Sequence, residues 1–212
     1  MSSQTQQFYE NHSHDLIARY DSADMSELHQ LLAKHITPNS KIIDIGLGSG
    51  RDLAFLQSNG HDIYGIDPVE AFVIQAQDRF TDIREHFRVG SFLSSDIPSD
   101  WLKSFDTVIS IAVWMHLKTH ERPKAIDTIK ALVKSNGIVV LSFSLGGRDS
   151  DDGRHFEPLE LQEVINEFND AGFALFETVC TKDSLGRDSI QWATVVFKLD
   201  ALLRISITQI CN

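Results

Sequence analysis

Residues 41 to 52 read Lys41-Ile42-Ile43-Asp44-Ile45-Gly46-Leu47-Gly48-Ser49-Gly50-Arg51-Asp52. A β-branched run ends in three glycines at alternate positions, and a helical pattern (Asp52 to Ser58) opens behind them. Strand, glycine loop and helix in that order bring a ligand to the carboxyl edge of an α/β sheet. Glycine tolerates positive φ and lets the backbone come close to that ligand. Two cofactor classes use such a loop, and spacing separates them. The dinucleotide fingerprint, G-x-G-x-x-G/A, needs a small third residue. Counted from Gly46, that position is Arg51. The spacing here is G-x-G-x-G, with Asp44 two residues ahead of the first glycine. A carboxylate there repels a pyrophosphate and attracts a cationic ligand.

Outward from the loop, short β-branched runs alternate with segments of helical period, the pattern of a parallel sheet with crossover helices. His61 to Ile66 is a second strand, stopped at Asp67-Pro68 because proline cannot donate to a ladder. His86 to Val89 is a third, and Phe105 to Ile111 a fourth, continuously apolar as a doubly covered strand should be. Gly137 to Phe143 is the fifth. Phe72, Val73, Ala76 and Phe80 stripe one helix. Ile126, Ile129 and Val133 stripe another, entered through Pro123 and closing near Asn136-Gly137. Leu161, Val164, Ile165 and Phe168 stripe a third, ending at Gly172. The rhythm then changes. Phe173 to Thr181 and Ile190 to Leu199 are strand-like and joined by eight polar residues without a helix, which predicts an antiparallel hairpin at one sheet edge. Two helices, Gln4 to Tyr20 and Ser26 to His35, precede the first strand.

Composition narrows the function. The 212 residues carry 30 Asp+Glu against 19 Lys+Arg, a formal net charge of -11. Tight binding to a phosphate backbone rests on clustered cations, so nucleic acid is disfavoured as a partner, and so is an anionic membrane surface. Two cysteines, Cys180 and Cys211, are too few for a disulfide framework. The polar amino terminus has no apolar signal region, and no run approaches the ~18 apolar residues of a membrane span. The expectation is a cytoplasmic, reduced, single-domain protein without repeats.

The loop Ile42 to Asp52 resembles the glycine-rich loop of the class I S-adenosylmethionine-dependent methyltransferases. The acid closing strand two (Gly65-Ile66-Asp67) and the final hairpin match the same family, and Ala112 to Leu117 resembles a subgroup of small bacterial enzymes. The likeness covers residues 38 to 199. It implies a Rossmann-like three-layer α/β sandwich, with a seven-stranded, mostly parallel sheet and an antiparallel last strand. Residues 1–37 would form a helical lid segment, 38–199 the cofactor-binding core and 200–212 a tail. Gly46, Gly48 and Gly50 would wrap the methionyl part of S-adenosyl-L-methionine, with Asp44 near its ammonium. Asp67 would accept from both ribose hydroxyls, Pro68 and Val69 would flank the adenine, and Ser91 and Phe92 would face it from the other side. Ala112 and Val113 would pass beneath the sulfonium, while Arg51 or Arg19 would pair with the carboxylate. Two departures stand out. Leu47 replaces the family's usual small residue or cysteine, which would tighten or shift the turn. The acid that commonly follows strand three is missing, with Asp96 several residues on.

His116 sits where strand four ends, either as a general base or as a core histidine bonded to backbone. No catalytic side chain is obligatory, because alignment alone supplies ~7–11 kcal/mol in such displacements. His12 and His14 lack acid or cysteine partners at ligand spacing, so no metal is expected. Tyr9, Arg19 and Tyr20 are candidates for a lid, and the glycine-rich stretch 146–155 for a gate. The function expected is methyl transfer to a small-molecule acceptor. The alternatives are tRNA or protein methylation, or a non-catalytic module that holds the cofactor. Ser110-Ile111-Ala112-Val113 stands where amino-group methylases carry an N-P-P-Y-like motif. No heptad or apolar patch indicates an oligomeric state.

Overall fold

The β-branched run of the opening stretch becomes an inner strand, third in order, of a seven-stranded sheet. In the computed structural model, which describes residues 3–95, 97–147, 152–183, 185, 187 and 190–199, the strands are β1 (Lys41–Ile45), β2 (Asp62–Asp67), β3 (Phe87–Val89), β4 (Phe105–Ile111), β5 (Val133–Ser144), β6 (Phe173–Lys182) and β7 (Gln191–Leu199). Their spatial order is β3-β2-β1-β4-β5-β7-β6. β1 pairs in parallel with β2 and with β4, placing Asp44 opposite Gly65 on one side and Ile109 on the other. The order reverses at β1, and the crevice beyond the carboxyl ends of β1 and β4 is the topological switch point of such sheets.

The helices are α1 (Ser3–Asp21), α2 (Ser26–His35), α3 (Arg51–Ser58), α4 (Glu70–Arg79), α5 (Arg122–Leu132) and α6 (Leu161–Asp170). Alternation along the strands sends side chains to two cores. Ile42, Ile63, Ile109 and Val140 pack under α2, α3 and α4. Ile43, Val108, Val139 and Phe197 pack under α5 and α6. The result is the three-layer, Rossmann-like α/β sandwich that the pattern implied.

One expectation needs correction. The Ile126, Ile129, Val133 stripe does not run on to Asn136. α5 ends at Leu132, and Val133 already pairs with Phe105 as the first residue of β5. Asp106 adds contacts at this boundary. Its carboxylate holds the Lys134 ammonium at 2.7 Å and accepts the Lys41 backbone N–H at 2.9 Å. Asn136 then turns with φ +65°. The hairpin takes one edge of the sheet, as expected, and its last strand is the antiparallel one. β7 lies inside the sheet, antiparallel to both β5 and β6, and only β6 forms the edge. Burial explains the order: five consecutive residues of β7 are buried, whereas β6 buries only Phe173 and Ala174. The tail 200–212, Asp96 and residues 148–151 of the expected gate lie outside the described residues.

Leu47 turns in toward the sheet. It is buried, and β2 makes room for it with Gly65, where a Cβ would stand 2.7 Å from Leu47 Cδ2 and 3.3 Å from Leu53 Cδ1. Gly65→Val is therefore expected to cost ~1–3 kcal/mol through overpacking. In urea denaturation the Gly65→Val, Leu47→Ala double variant should lose less than the sum of the two single losses. Strict additivity would show that the two sites do not share the space.

Candidate functional site

The glycine loop is held from both sides. Gly46 donates its N–H to the Ile66 carbonyl at 2.8 Å and has φ +89°, and a Cβ there would lie 2.3 Å from Val113 Cγ2. Gly48, at φ +53°, donates its N–H to Asp67 Oδ2 at 3.0 Å, and Val69 donates to Oδ1 at 2.9 Å. One carboxyl thus joins the β1 loop to the turn into α4. Gly50 has φ +75° and starts α3, so its freedom is used by the backbone.

Two buried acids face the space above the loop. Burial pushes the Asp67 carboxyl up to about 7, with the Gly48 and Val69 N–H groups working in the opposite direction. Asp44 is pushed well above the usual carboxylate range by burial and then by the charges of Asp52 and Asp67. Its Oδ1 is buried without a hydrogen-bond partner. An acceptor left unmet in a dry site costs stability and ordinarily has a ligand to explain it. A ligand with an ammonium for Asp44 and hydroxyl donors for Asp67 fits this pair.

The acids open into a cavity of about 700 Å³. Asp44, Gly46, Gly48, Arg51, Asp67, Pro68, Ser91, Phe92, Ala112, Val113, His116 and Arg19 all line it, and of the expected site residues only Gly50 does not. The Arg51 guanidinium is already committed, to both Asp52 oxygens at 3.1 and 2.9 Å and to the Tyr20 carbonyl at 2.7 Å. Arg19 is exposed at the rim. Ser91 organises its own turn, accepting the Leu93 N–H at 3.2 Å, while the buried Phe92 ring stands edge-on to Trp114 at 5.6 Å. Ala112 adopts φ +62° at the end of β4, a strained place for a residue with a Cβ.

The far wall comes from α1. Gln6 Nε2 donates to the Pro68 carbonyl at 2.8 Å, Glu10 accepts the Glu70 N–H at 3.1 Å, and Thr5 Oγ1 accepts the His155 N–H at 2.8 Å. Tyr9 and Tyr20 line the cavity with Arg19. His116 is buried, with Nδ1 2.7 Å from the His155 carbonyl and Nε2 2.9 Å from the Tyr9 hydroxyl. It is thus bonded to backbone and also faces the site.

Several site residues escape the sequence. Asp52 is buried and bonded to His29 Nε2 at 2.8 Å, and Arg154 reaches the cavity while pairing with Asp152 at 2.6 Å. Asp183, Trp192 and Thr194 arrive from the hairpin. Asp52 closes the glycine-loop stretch and Arg154 falls in the stretch 146–155, but neither pattern by itself assigns them a place in the cavity, and the hairpin residues arrive by long-range packing. His12 bonds the Phe8 carbonyl at 2.7 Å and stacks on the Phe8 ring. Among the described residues no cluster of metal-ligating side chains is gathered, and no helix is long and apolar enough to cross a membrane.

The raised carboxyls have a pH signature. Unfolded, Asp67 ionises near 3.8, whereas folded it keeps its proton up to about 7. The folded chain thus binds the extra proton between roughly pH 4 and 7, and stability falls as pH rises through that window. Asp44 acts in the same direction. Urea unfolding of Asp67→Asn at several pH values should show a shallower loss over this range. An unchanged slope would mean that Asp67 is not the titrating group.

Comparison with known proteins agrees with this geometry. Residues 43–141 match the family described as Methyltransferase domain. An uncharacterized methyltransferase of Geobacillus sp. (strain WCH70) is 26% identical over 160 residues, which span 76% of this chain and 67% of that protein. A tRNA U34 carboxymethyltransferase of Idiomarina loihiensis is 31% identical over 117 residues, 53% of this chain but 36% of its own length. Among solved structures, the 1,6-didemethyltoxoflavin-N1-methyltransferase of Burkholderia thailandensis, with 1,6-didemethyltoxoflavin and S-adenosylhomocysteine bound, superposes with a TM-score of 0.77. It is 16% identical and covers 93% of this chain and 88% of its own. With the G-x-G-x-G loop, the acid at the end of β2 and the 3-2-1-4-5-7-6 sheet all present, residues 43–141 carry a methyltransferase domain, and the chain is similar to the class I S-adenosylmethionine-dependent methyltransferases.

Proposed function

We propose that this methyltransferase acts on a small-molecule acceptor held inside the cavity between α1 and the carboxyl edge of the sheet. One observation carries the reading: the cofactor acids and His116 share a single cavity of about 700 Å³, walled by α1, within the range of ligand sites for small molecules. The solved relative from Burkholderia thailandensis, which holds a small heterocycle, supports it by analogy. The match to a tRNA-modifying enzyme is the one observation favouring RNA. It covers 36% of that protein, and a net charge of -11 works against a phosphate backbone.

When bound, S-adenosylmethionine supplies a methyl group activated on a sulfonium. This chain's residues would bind and align it. Asp67 accepts ribose hydroxyls, Asp44 Oδ1 meets the ammonium, Gly46 and Gly48 let the backbone close in, and Pro68, Ser91 and Phe92 border the adenine. Ala112 and Val113 lie beneath the reacting centre. With Arg51 held by Asp52, Arg19 is the cation for the carboxylate. Residues 1–37 act as the lid over the core 38–199, and His116 is the proton acceptor of the site.

Calorimetric titration with S-adenosylhomocysteine is the direct test. Asp67→Ala should weaken binding by roughly 1.5–3 kcal/mol, as for lost hydrogen bonds to a charged group. Gly48→Val should weaken it too, while His12→Ala leaves it unchanged. Tritiated-methyl transfer into cell extract, fractionated by size, then identifies the acceptor. Label confined to RNA or protein would overturn the small-molecule assignment.

A further inference from the structure

The surroundings of His116 carry more than a base assignment. A carbonyl oxygen only accepts, so the 2.7 Å contact from His116 Nδ1 to the His155 carbonyl puts a hydrogen on Nδ1. In the neutral ring, Nε2 is then the lone-pair nitrogen, and the Tyr9 hydroxyl donates to it at 2.9 Å. Nε2 is therefore met by a phenol belonging to the same cavity wall. Two further polar groups flank Tyr9. The Tyr20 phenol stands beside it, and burial together with the Tyr9 hydroxyl holds Tyr20 in its protonated, donating form. The Arg154 guanidinium, itself paired with Asp152, lies 6.0 Å from the centre of the Tyr9 ring. The Phe156 ring, 4.7 Å from His116, and Phe72, 6.3 Å from Tyr9, help to exclude water.

We propose that Tyr9 is the catalytic proton-transfer residue of this site, relaying the acceptor's proton to His116, and that the acceptor is a phenol, enol, thiol or heterocyclic N–H whose proton must leave. The proposal rests on the small-molecule reading above. The acceptor's X–H bond breaks and its proton passes to Tyr9 Oη, while the Tyr9 proton moves to His116 Nε2. The X–H electron pair becomes the bond to the methyl group, and the pair of the broken sulfur–methyl bond stays on the donor. His116 is left as an imidazolium whose Nδ1–H still rests on the His155 carbonyl, and it returns its proton to solvent when the product departs. His116 acts through Tyr9 and is a positioning residue in this sense.

The first test needs no acceptor. Nitrogen-15 spectra of histidine-labelled full-length protein should show His116 as the Nδ1–H tautomer, and Tyr9→Phe should shift its Nε2 signal while Nδ1 stays in place. An Nε2–H tautomer overturns the relay, because that nitrogen could not take a proton. The second test uses tritiated S-adenosylmethionine and the small-molecule fraction of cell extract. Tyr9→Phe should slow transfer by ~10²–10⁴-fold, the usual worth of general acid–base help, with S-adenosylhomocysteine binding kept within about threefold. Transfer at the wild-type rate overturns the relay and leaves the methyltransferase assignment intact. Failure of the wild-type protein to bind S-adenosylhomocysteine strikes that assignment instead, whatever tautomer His116 shows.

Discussion

Two backbone N–H groups converge on the Asp67 carboxyl, one from Gly48 in the loop after β1 and one from Val69 at the entrance to α4. The bond from Gly46 to the Ile66 carbonyl lies just behind them. Together these contacts set how the β1 loop leaves the sheet, and with it the start of α3 and the floor of the cavity. Satisfying two donors with one buried acid has a cost. The Asp67 carboxyl is held far above its ordinary range, and Asp44 beside it keeps an oxygen with no partner. Such local destabilisation is common where a site is shaped for a ligand and not for the empty fold. Both acids sit at the topological switch point, where the parallel strands leave an opening between β1 and β4.

α1 is attached in a different way. Only Thr5 and Leu16 of its nineteen residues are buried. Leu16 joins one core and Phe8, Ile17 and Tyr20 pack against it, and the rest of the helix's hold comes from separate polar contacts to Pro68, Glu70, His116 and His155, together with the pairing of Asp21 with Arg79 at 2.9 Å. Each such contact is worth on the order of 1 kcal/mol net, so the segment opens at far lower cost than the helices packed under the two cores. On the proposed reading α1 would be a lid that admits cofactor and acceptor, a role this balance suits. The Tyr9–His116 contact would then couple closure to chemistry, since the phenol would reach Nε2 only with α1 seated.

Much of the site was legible because a strand-loop-helix unit is local. Asp44, Gly46, Gly48 and Asp67 lie in or close to it, and their roles follow from glycine dihedrals and from acids at the ends of adjacent parallel strands. Leu47 was harder to interpret, because its place depends on Gly65 in the neighbouring strand, eighteen positions away in the chain. The α5 boundary was misplaced for a related reason. Val133 suits a helix stripe and a strand equally well, and it is paired with Phe105 in the sheet, a partner distant in the chain. The hairpin takes the sheet edge that its two strand-like runs imply, although their own pattern does not reveal which of them is inserted beside β5.

The sequence by itself determined the fold class, the order of strands and helices, and the cofactor that the G-x-G-x-G loop accepts. Those features are set by periodicity, glycine freedom and charges a few residues apart. Only the tertiary structure decided that Arg51 is spent on Asp52, that Arg154 and Asp183 reach the cavity, and that a tyrosine more than a hundred residues from His116 in the chain meets its ring nitrogen. The reason is physical. Local propensity acts over one turn or one strand, whereas a site at a sheet edge is closed by segments distant in the chain, and their meeting depends on packing and on which polar groups find partners.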